Sequence, residues 1–255
     1  MKYVHKKISE NVNVSKHHLL KYLLSRLFVL IVVVCVVYFA LSGALEIAIK
    51  YIPDKLEAAL STSLTSSFVD PVDNTDSASQ KRLETILSEL ITYYPGKNKK
   101  FKIYLIEQDE VNAFALPGNT IIILSGLLEK LDNNKELAFV IGHELGHFFH
   151  RDHLRGLGQG AIFMAIMASL GGGDPGGVVS KSINLFGLHY SRKQENAADL
   201  FSLNLLKKSY GNSQGAISAI EKLGIYGEKE GYQVFSTHPL IEQRVRILKE
   251  YSFNE

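Results

Sequence analysis

Two histidines and a glutamate share one five-residue stretch, His143-Glu144-Leu145-Gly146-His147. On a helix, positions i and i+4 are neighbours on one face, so both imidazoles would point to the same place. Imidazoles at this spacing can hold one metal ion, and the glutamate between them can hold a water molecule against that ion. This pattern is typical of zinc-dependent peptide hydrolysis. It predicts His143 and His147 as zinc ligands and Glu144 as the general base.

A catalytic zinc ion takes three protein ligands and leaves one position open, so a third ligand must lie elsewhere in the chain. Glu195 is the best candidate, because it lies in a helix-favouring stretch whose two alanines allow close packing against a second helix. Asp199 follows Glu195 by one helical turn. We expect its carboxylate to accept the free ring N–H of His143 or His147 and so to fix that ring's tautomer.

His153 and His150 are rival third ligands. His153 follows His143 by ten positions, as the third histidine does in the metzincin motif, but His150 replaces the glycine that this motif requires. Without that glycine we expect the helix to continue, which would carry His153 about 15 Å along the axis from His143. His150 lies one turn beyond the ligand pair, where we expect a partly exposed histidine or a neighbour of the ligands.

Four motifs follow one another along the chain: Asn112-Ala113-Phe114-Ala115-Leu116-Pro117-Gly118, then His143 to His147, then Glu195 to Asp199 after Tyr190-Ser191-Arg192, and Ser236-Thr237-His238-Pro239 followed by Arg244. In type and order they resemble those of the membrane-associated gluzincin metallopeptidases, the family that includes HtpX, BepA and the CaaX prenyl endoprotease. The resemblance implies zinc ligation by His143, His147 and Glu195, with Glu144 as the catalytic base. Asn119 replaces the second glycine that many members have after Pro-Gly, and we expect little effect because Asn tolerates turn conformations.

The residues Asn112, Ala113 and Phe114 are candidate substrate-binding residues. Zinc peptidases commonly bind substrate as an added strand along an exposed sheet edge, and this segment is expected to form or border that edge. Main-chain pairing fixes an extended peptide without reading its sequence. The alternative is that Phe114 and Leu116 only fill the core.

His238 and Arg244 are candidate catalytic residues with open roles. His238 lies where Ser-Thr-His-Pro would begin a helix. It could donate to the oxyanion, orient Asp199 or the substrate, or occupy the open position of the zinc ion. Arg244 could also support the oxyanion, and the alternative is a surface ion pair.

The first 45 residues have the composition of a membrane anchor. The run from Leu27 to Leu45 contains no charge, and its 19 residues nearly match the ~20 needed to cross a bilayer. Residues 1–26 contain six Lys or Arg and one acidic residue, whereas the rest of the chain has 22 basic and 25 acidic residues. Because positive flanks stay cytoplasmic, we expect the N-terminus inside and the catalytic domain in a bacterial periplasm or an equivalent organellar space.

A cleaved signal peptide is the alternative to an anchor. Its apolar region would usually span about 7–15 residues, and the run here is longer. Cys35, the only cysteine, lies within the run, so no disulfide can form within one chain. The excess of basic over acidic residues is confined to residues 1–26, which gives no support for nucleic-acid binding.

The pattern after the anchor predicts an α+β fold: a mainly helical zincin-type domain with a small β-sheet. One N-terminal transmembrane helix is expected to precede this domain in the sequence. The expected segments are a basic cytoplasmic segment 1–26, the anchor 27–45, a juxtamembrane helix and linker 46–80, and a metallopeptidase domain 81–255. Leu83, Ile86, Leu87, Leu90 and Ile91 would form the buried face of a helix that ends before Pro95. Strands are expected at residues 101–106 and 120–124.

Glycines flank an apolar run between His153 and Glu195. Residues 156–160 and 171–177 are glycine-rich, and the ten residues from Ala161 to Leu170 are too few to span a bilayer. A buried helix, a lid hinged at the glycines over the zinc cleft and a membrane-dipping segment are the three interpretations. Ser180 replaces the glycine that a phosphate-binding loop needs before Lys181, so no nucleotide site is expected.

Together these features predict a membrane-anchored metalloendopeptidase with one Zn²⁺, acting on protein or peptide substrates, misfolded ones included, in protein quality control. Membrane lipid would contact residues 27–45. One alternative is a membrane-bound chaperone or assembly factor with a latent or structural zinc site, and another is a zinc hydrolase of non-peptide bonds. The glutamate beside the ligand pair argues against a purely structural site, which would more often be closed by four ligands.

Overall fold

The computed structural model describes residues 19–53, 55–57, 59, 78–96, 99–170, 190–229 and 241–253. Secondary structure in these residues is mainly helical around one small sheet. The helices are α1 (Leu19–Ile49), α2 (Ala78–Ile91), α3 (Ser125–Lys130), α4 (Asn134–His150), α5 (Asp152–Ser169), α6 (Arg192–Tyr210), α7 (Gln214–Lys229) and α8 (Ile241–Phe253). The strands are β1 (Lys102–Ile106), β2 (Ala113–Leu116) and β3 (Thr120–Leu124). The predicted α+β class with one apolar N-terminal helix is confirmed.

The sheet has the order β1-β3-β2, with β1 parallel and β2 antiparallel to β3. The turn between β2 and β3 passes through Gly118 and Asn119, whose φ angles are 80° and 58°. Asn is among the few residues that adopt this left-handed conformation at low cost, which explains how it replaces a glycine there. Both predicted strands are present within the expected bounds.

One hydrophobic core joins the sheet to the helices. It contains four of the five residues expected on the buried face of α2: Leu83, Ile86, Leu87 and Leu90. The inner face of β3 and residues of α4, α6 and α7 complete it, among them Ile121, Phe139, Leu203 and Ala219. Ile91, the fifth residue of the α2 face, is partly buried against the same core. A second, smaller cluster on the outer face of the sheet contains Leu116, Ile122 and Leu124.

Within the described residues, α1 is the one helix long and apolar enough to cross a membrane, judged by length and composition. It is continuous from Leu19 to Ile49, so residues 46–49 belong to its last turn and no separate helix begins at Glu46. The other apolar run lies inside the continuous helix α5. Of the three interpretations of this run, the one that needs a hinge at residues 156–160 is wrong, because these glycines are helical. Residues 171–177 lie outside the described part of the chain.

The expectation that α4 continues past His150 is also wrong. Arg151 ends the helix in the left-handed conformation, with φ 59°, and α5 begins at the next residue. The Arg151 side chain donates from Nη1 to the carbonyl oxygens of Ile49 and Ile52, at 2.7 and 2.9 Å. The left-handed conformation is uncommon for residues other than glycine. At Arg151 it occurs together with these two hydrogen bonds to carbonyl groups at and just after the end of α1. The turn directs His153 away from the axis of α4, and its Nε2 lies 2.9 Å from Oε1 of Glu57.

Candidate metal centre

The structure brings together His143 and His147 of α4 and Glu195 of α6. The two Nε2 atoms lie 3.1 Å apart. The carboxylate oxygens of Glu195 lie 3.6 Å from Nε2 of His143 and 3.5 Å from Nε2 of His147. All three side chains are buried, and one potential ligand atom from each lies within 4.8 Å of the other two. This cluster can hold one metal ion.

The donor set fits a divalent metal ion such as zinc. Nitrogen and oxygen ligands at 2.0–2.2 Å in a tetrahedral site lie about 3.3 Å from one another, close to the three distances in the cluster. The Nδ1 atoms of both histidines face carboxylates, which favours the tautomer with the proton on Nδ1. The two Nε2 lone pairs then face each other, and a cation between them relieves their repulsion.

Close approach of α4 and α6 positions Glu195 against the histidines. A Cβ atom added at Gly146 would lie 2.8 Å from Cα of Ala198, and one added at Gly142 would lie 2.5 Å from Oγ of Ser202. Both distances are shorter than real Cβ contacts, so these two glycines set the separation of the helices. The predicted role of the alanines of α6 in close packing is confirmed at Ala198.

Different elements supply a carboxylate for each imidazole. Oδ1 of Asp199 lies 2.8 Å from Nδ1 of His143, the geometry expected of a carboxylate that fixes the ring's tautomer. Oδ2 of Asp152 lies 3.1 Å from Nδ1 of His147. Asp152 was missed in the sequence, because its position depends on the turn at Arg151 that ends α4.

The start of α6 holds Asp152 in place. Ser191 and Gln194 form a capping box, in which the Ser191 hydroxyl accepts from the Gln194 backbone and Oε1 of Gln194 accepts from the Ser191 backbone. Nε2 of Gln194 also donates to Oδ1 of Asp152 at 2.8 Å. Gln194 therefore takes part in the capping box and also fixes the carboxylate that faces His147.

Arg244 of α8 is buried beside the cluster. Its Nε and Nη2 donate to the two carboxylate oxygens of Asp199, each at 2.7 Å, and its Nη1 lies 3.2 Å from Oε2 of Glu195. The alternative of a surface ion pair is therefore wrong. Burial raises the pKa of Asp199, but the charge and hydrogen bonds of Arg244 outweigh it and lower that pKa to about 2.

The electrostatic surroundings favour positive charge at His147, whereas burial lowers the pKa of His143. Burial lowers the pKa of His147, but its bonds to Asp152 and Glu195 outweigh burial and raise that pKa to about 9. The carboxylates that favour a proton here also favour a metal cation in its place. Burial raises the pKa of Glu144, an effect opposed by the two histidines. The ring of Tyr190 stacks on His147 with centroids 3.7 Å apart.

The predicted substrate-binding residues lie in or next to strand β2. Ala113 and Phe114 are in β2, the strand at one edge of the sheet that the described residues form, and β2 contacts α4. Asn112 precedes this strand, and its carbonyl oxygen accepts from the backbone of Leu124. Phe114 is half-buried against the outer apolar cluster, so its side chain also fills that small core.

Two of the histidines discussed as site residues, His238 and His150, are not in the cluster of described residues. His238 lies outside the described residues. His150 is half-buried at the end of α4, with its ring centroid 6.2 Å from that of Phe201, and it is not part of the cluster.

Comparison with known proteins agrees with this geometry. Residues 77–252 match peptidase family M48. The chain is 31% identical over 180 residues to the metalloprotease LoiP of Escherichia coli, which covers 67% of this chain and 69% of that protein. It is 31% identical over 156 residues to the mitochondrial metalloendopeptidase OMA1 of Arabidopsis thaliana and 27% identical over 181 residues to the beta-barrel assembly-enhancing protease of Escherichia coli, each covering 61% of this chain. Those matches cover 32% and 35% of the two longer proteins. The resemblance drawn from the four motifs is confirmed, and the chain belongs to peptidase family M48.

Proposed function

We propose that this metallopeptidase is a membrane-anchored, zinc-dependent endopeptidase that cleaves extended segments of protein substrates in quality control. The observation that carries the proposal is the buried cluster of His143, His147 and Glu195, with Glu144 between the two histidines on α4. Family membership supports metal-dependent peptidase chemistry. The choice of zinc rests on the donor set of two imidazoles and one carboxylate.

Zinc bound at this cluster would lower the pKa of a water molecule toward about 7 and polarise the scissile carbonyl. Glu144 would take a proton from the attacking water, because it lies between the two histidines in the sequence of α4 and burial raises the pKa of its carboxyl group. As the C–N bond breaks, Glu144 gives this proton to the departing amine nitrogen. The carboxylate thus returns to its starting state after each turnover.

Arg244 acts in this scheme as a positioning residue. Both carboxylate oxygens of Asp199 accept hydrogen bonds from its guanidinium, and Asp199 in turn faces His143. A fork-shaped pair of this kind fixes orientation as well as charge. The three roles open to His238, support of the oxyanion among them, stay predictions.

The edge position of β2 supports the proposed substrate class. A peptide added alongside residues 112–114 would pair through its main chain, next to the helix that carries Glu144. Backbone pairing accepts many sequences as long as the segment is extended. Unfolded or misfolded proteins expose such segments, which is why we assign the enzyme to quality control.

The anchoring part of the proposal rests on α1. This helix is long and apolar enough to cross a bilayer, and six Lys or Arg precede its uncharged run, which begins at Leu27. By the positive-inside rule, residues 1–26 lie in the cytoplasm and the metallopeptidase domain lies on the opposite side.

The direct test compares the full-length protein in detergent with its Glu144→Gln and Glu129→Gln variants. Glu129 is an exposed residue of α3 and serves as the matched control. Metal content is measured by mass spectrometry, and cleavage is measured on casein. We expect one zinc ion per chain in all three proteins and at least a ~100-fold loss of cleavage in Glu144→Gln alone, because general-base catalysis contributes on that order.

Each other result points to a different error. Full cleavage by Glu144→Gln would show that another residue is the base. A different stoichiometric metal would reject zinc. Zinc without casein cleavage in all three proteins would favour the alternative of a latent enzyme or an assembly factor.

A further inference from the structure

Helix α5 lies antiparallel alongside α1. Nη1 of Arg151 reaches the carbonyl oxygen of Ile49, Nε of Arg155 lies 2.8 Å from Oε2 of Glu46, and a Cβ atom added at Gly158 would lie 2.6 Å from Leu45. Residue numbers rise along α5 while those of its partners fall along α1. From its first turn onward, α5 therefore runs back along the helix that we propose as the membrane anchor.

The burial pattern of α1 shows how far this contact extends. One stripe of α1 is partly or fully covered, with members spaced three or four residues apart: Val34, Tyr38, Ser42, Leu45 and Ile49. Residues 19–33 are exposed throughout. Gly158 lies against Leu45, and ten residues, or about 15 Å, further along α5 is Ala168. Ten residues back from Leu45 along α1 is Cys35, next to Val34. The covered stripe thus ends where α5 ends.

An apolar stripe of α5 that begins at Phe163 is exposed, beside the buried Gly160 and Met164. Phe163, Met167 and Leu170 are 39%, 39% and 52% exposed. The sequence contains no charged residue between Arg155 and Asp174. Oγ of Ser169 donates to the carbonyl oxygen of Ala165 at 2.8 Å, so this hydroxyl is satisfied within the helix, as hydrocarbon surroundings require.

We propose that the second half of α5, residues 160–169, is embedded in the bilayer beside α1, with Phe163 and Met167 against lipid acyl chains. The inference rests on the proposed anchoring of α1, because the depth of α5 follows from its alignment with that helix. Ten residues extend about 15 Å, half of the ~30 Å hydrocarbon core, so α5 enters one leaflet and does not cross the membrane.

Two features of the contact suit a membrane location. A small residue lies on α5 where it packs on α1, since Gly158 is against Leu45, and such residues let membrane helices approach closely. The ion pair of Arg155 and Glu46 lies at the end of the uncharged run of α1, at headgroup level. Because Asp152 begins α5 and contacts His147, the metal cluster would sit immediately outside the bilayer.

The experiment measures thiol accessibility in the full-length protein reconstituted into phosphatidylcholine and phosphatidylglycerol vesicles. Wild type supplies the reference thiol, Cys35, which is exposed on α1. Phe163→Cys, Met167→Cys and the control Glu129→Cys are each made in a Cys35→Ser background. We expect a membrane-impermeant maleimide to react with both α5 variants at least ~10-fold more slowly than with Glu129→Cys, because only the thiolate reacts and hydrocarbon keeps the thiol protonated.

A second readout separates lipid from protein cover. Bimane attached to each thiol in detergent is tested for quenching by doxyl-labelled phosphatidylcholine after reconstitution, and we expect quenching at both α5 positions as at Cys35. Fast labelling of both α5 variants with slow labelling of Cys35 would overturn the inference and leave the anchor intact. Fast labelling of Cys35 as well would reject the anchor itself. Slow labelling without doxyl quenching would show a protein cover and also overturn the inference.

Discussion

The two imidazoles of the cluster differ in the origin of the carboxylate that holds them. Asp199 lies on the same helix as Glu195, one turn away, and is fixed by Arg244. Asp152 lies on α5 and also receives hydrogen bonds from Gln194 and Arg155. Geometry at His147 therefore depends on the helix that packs against α1.

Asp152 can be tested without changing the shape of the side chain. We expect Asp152→Asn to weaken metal binding about 10–100-fold, because partners of ligating histidines contribute on that scale. Competition against a chelator of known zinc affinity measures the change in dissociation constant. Asp132→Asn is the matched control, because Asp132 is 75% exposed and pairs with Lys222 on the surface. Equal affinities for the two variants would show that Asp152 does not position His147.

At the residue scale, the sequence predicts those parts of the cluster whose spacing is local. His143, Glu144 and His147 lie within one turn and a half, and Asp199 follows Glu195 by one turn. Asp152 could not be found in this way. Its position depends on the end of α4, where Arg151 contacts carbonyl groups about a hundred residues earlier in the chain. Nothing in the neighbouring residues encodes that contact.

At the scale of elements, the contact between α4 and α6 decides whether a third ligand is present at all. Small residues on both helices face each other at two successive turns, Gly142 with Ser202 and Gly146 with Ala198. Ser202 also donates from Oγ to the carbonyl oxygen of Phe139 at 2.6 Å, which ties the helices together through a buried bond.

Gly146→Ala should disturb this contact. The added methyl group meets backbone atoms of Ala198 that cannot move aside without shifting α6. We expect destabilisation by about 1–3 kcal/mol, the usual range for overpacking, together with reduced zinc content. Thermal unfolding of the detergent-solubilised full chain measures the first and mass spectrometry the second. Gly43→Ala is the control, since nothing lies within 4 Å of its added Cβ. A Gly146→Ala protein as stable and as zinc-loaded as this control would contradict the proposed packing.

Sequence patterns gave the elements with a clear period and missed those shaped by distant contacts. The apolar stripe of α2 predicted a helix, and the apolar runs of β1 and β3 predicted strands. The glycines at residues 156–160 were a misleading signal. Glycine favours flexibility in an isolated chain, but here Gly158 lies against Leu45, and packing on α1 keeps the segment helical.

At the scale of the whole molecule, the segment that follows α1 is bound to the domain by buried polar contacts. Oε1 of Glu57 lies 2.9 Å from Nε2 of His153 and accepts from the backbone of Gly118 at 3.3 Å. One carboxylate thus joins the segment after α1, the start of α5 and the turn before β3. These contacts hold the domain against the end of α1, so the segment around Glu57 is not a free linker.

This junction predicts a pH dependence of stability. Burial raises the pKa of Glu57, but its hydrogen bonds and its charge interaction with His153 outweigh burial, and the pKa lies below its ordinary value of 4.5. A carboxyl group with a depressed folded-state pKa adds stability above its unfolded-state pKa and loses it as the pH falls through the folded-state value. Wild type should therefore exceed Glu57→Gln in melting temperature near pH 7, and the difference should shrink below about pH 4.5. Melting curves of both proteins between pH 7 and pH 3.5 measure this, and a difference that stays constant or grows on acidification would contradict it.

The orientation of the chain in the membrane is predicted by charge alone. Six Lys or Arg precede the uncharged run, and the domain beyond it has more acidic than basic residues. We expect alkaline phosphatase fused after Glu255 to be active in Escherichia coli, because this enzyme is active only outside the cytoplasm. Replacing Lys16, Lys21 and Arg26 with Gln should lower that activity relative to protein level, since basic residues within about 15–20 positions of the span set the orientation.

Replacing Lys2, Lys6 and Lys7 with Gln is the matched control for this orientation test, because it removes the same charge at a greater distance from the run that begins at Leu27. Its effect should be smaller, since the orienting influence of basic residues is strongest next to the span. An inactive phosphatase fusion together with a fluorescent GFP fusion at the same position would place the domain in the cytoplasm. In that case the packing of α5 on α1 would still hold, but α5 would enter the cytoplasmic leaflet. Under these proposals, residues 1–26 would set the side of the membrane on which substrates are cut, and the contact between α1 and α5 would set the distance of the metal cluster from the bilayer.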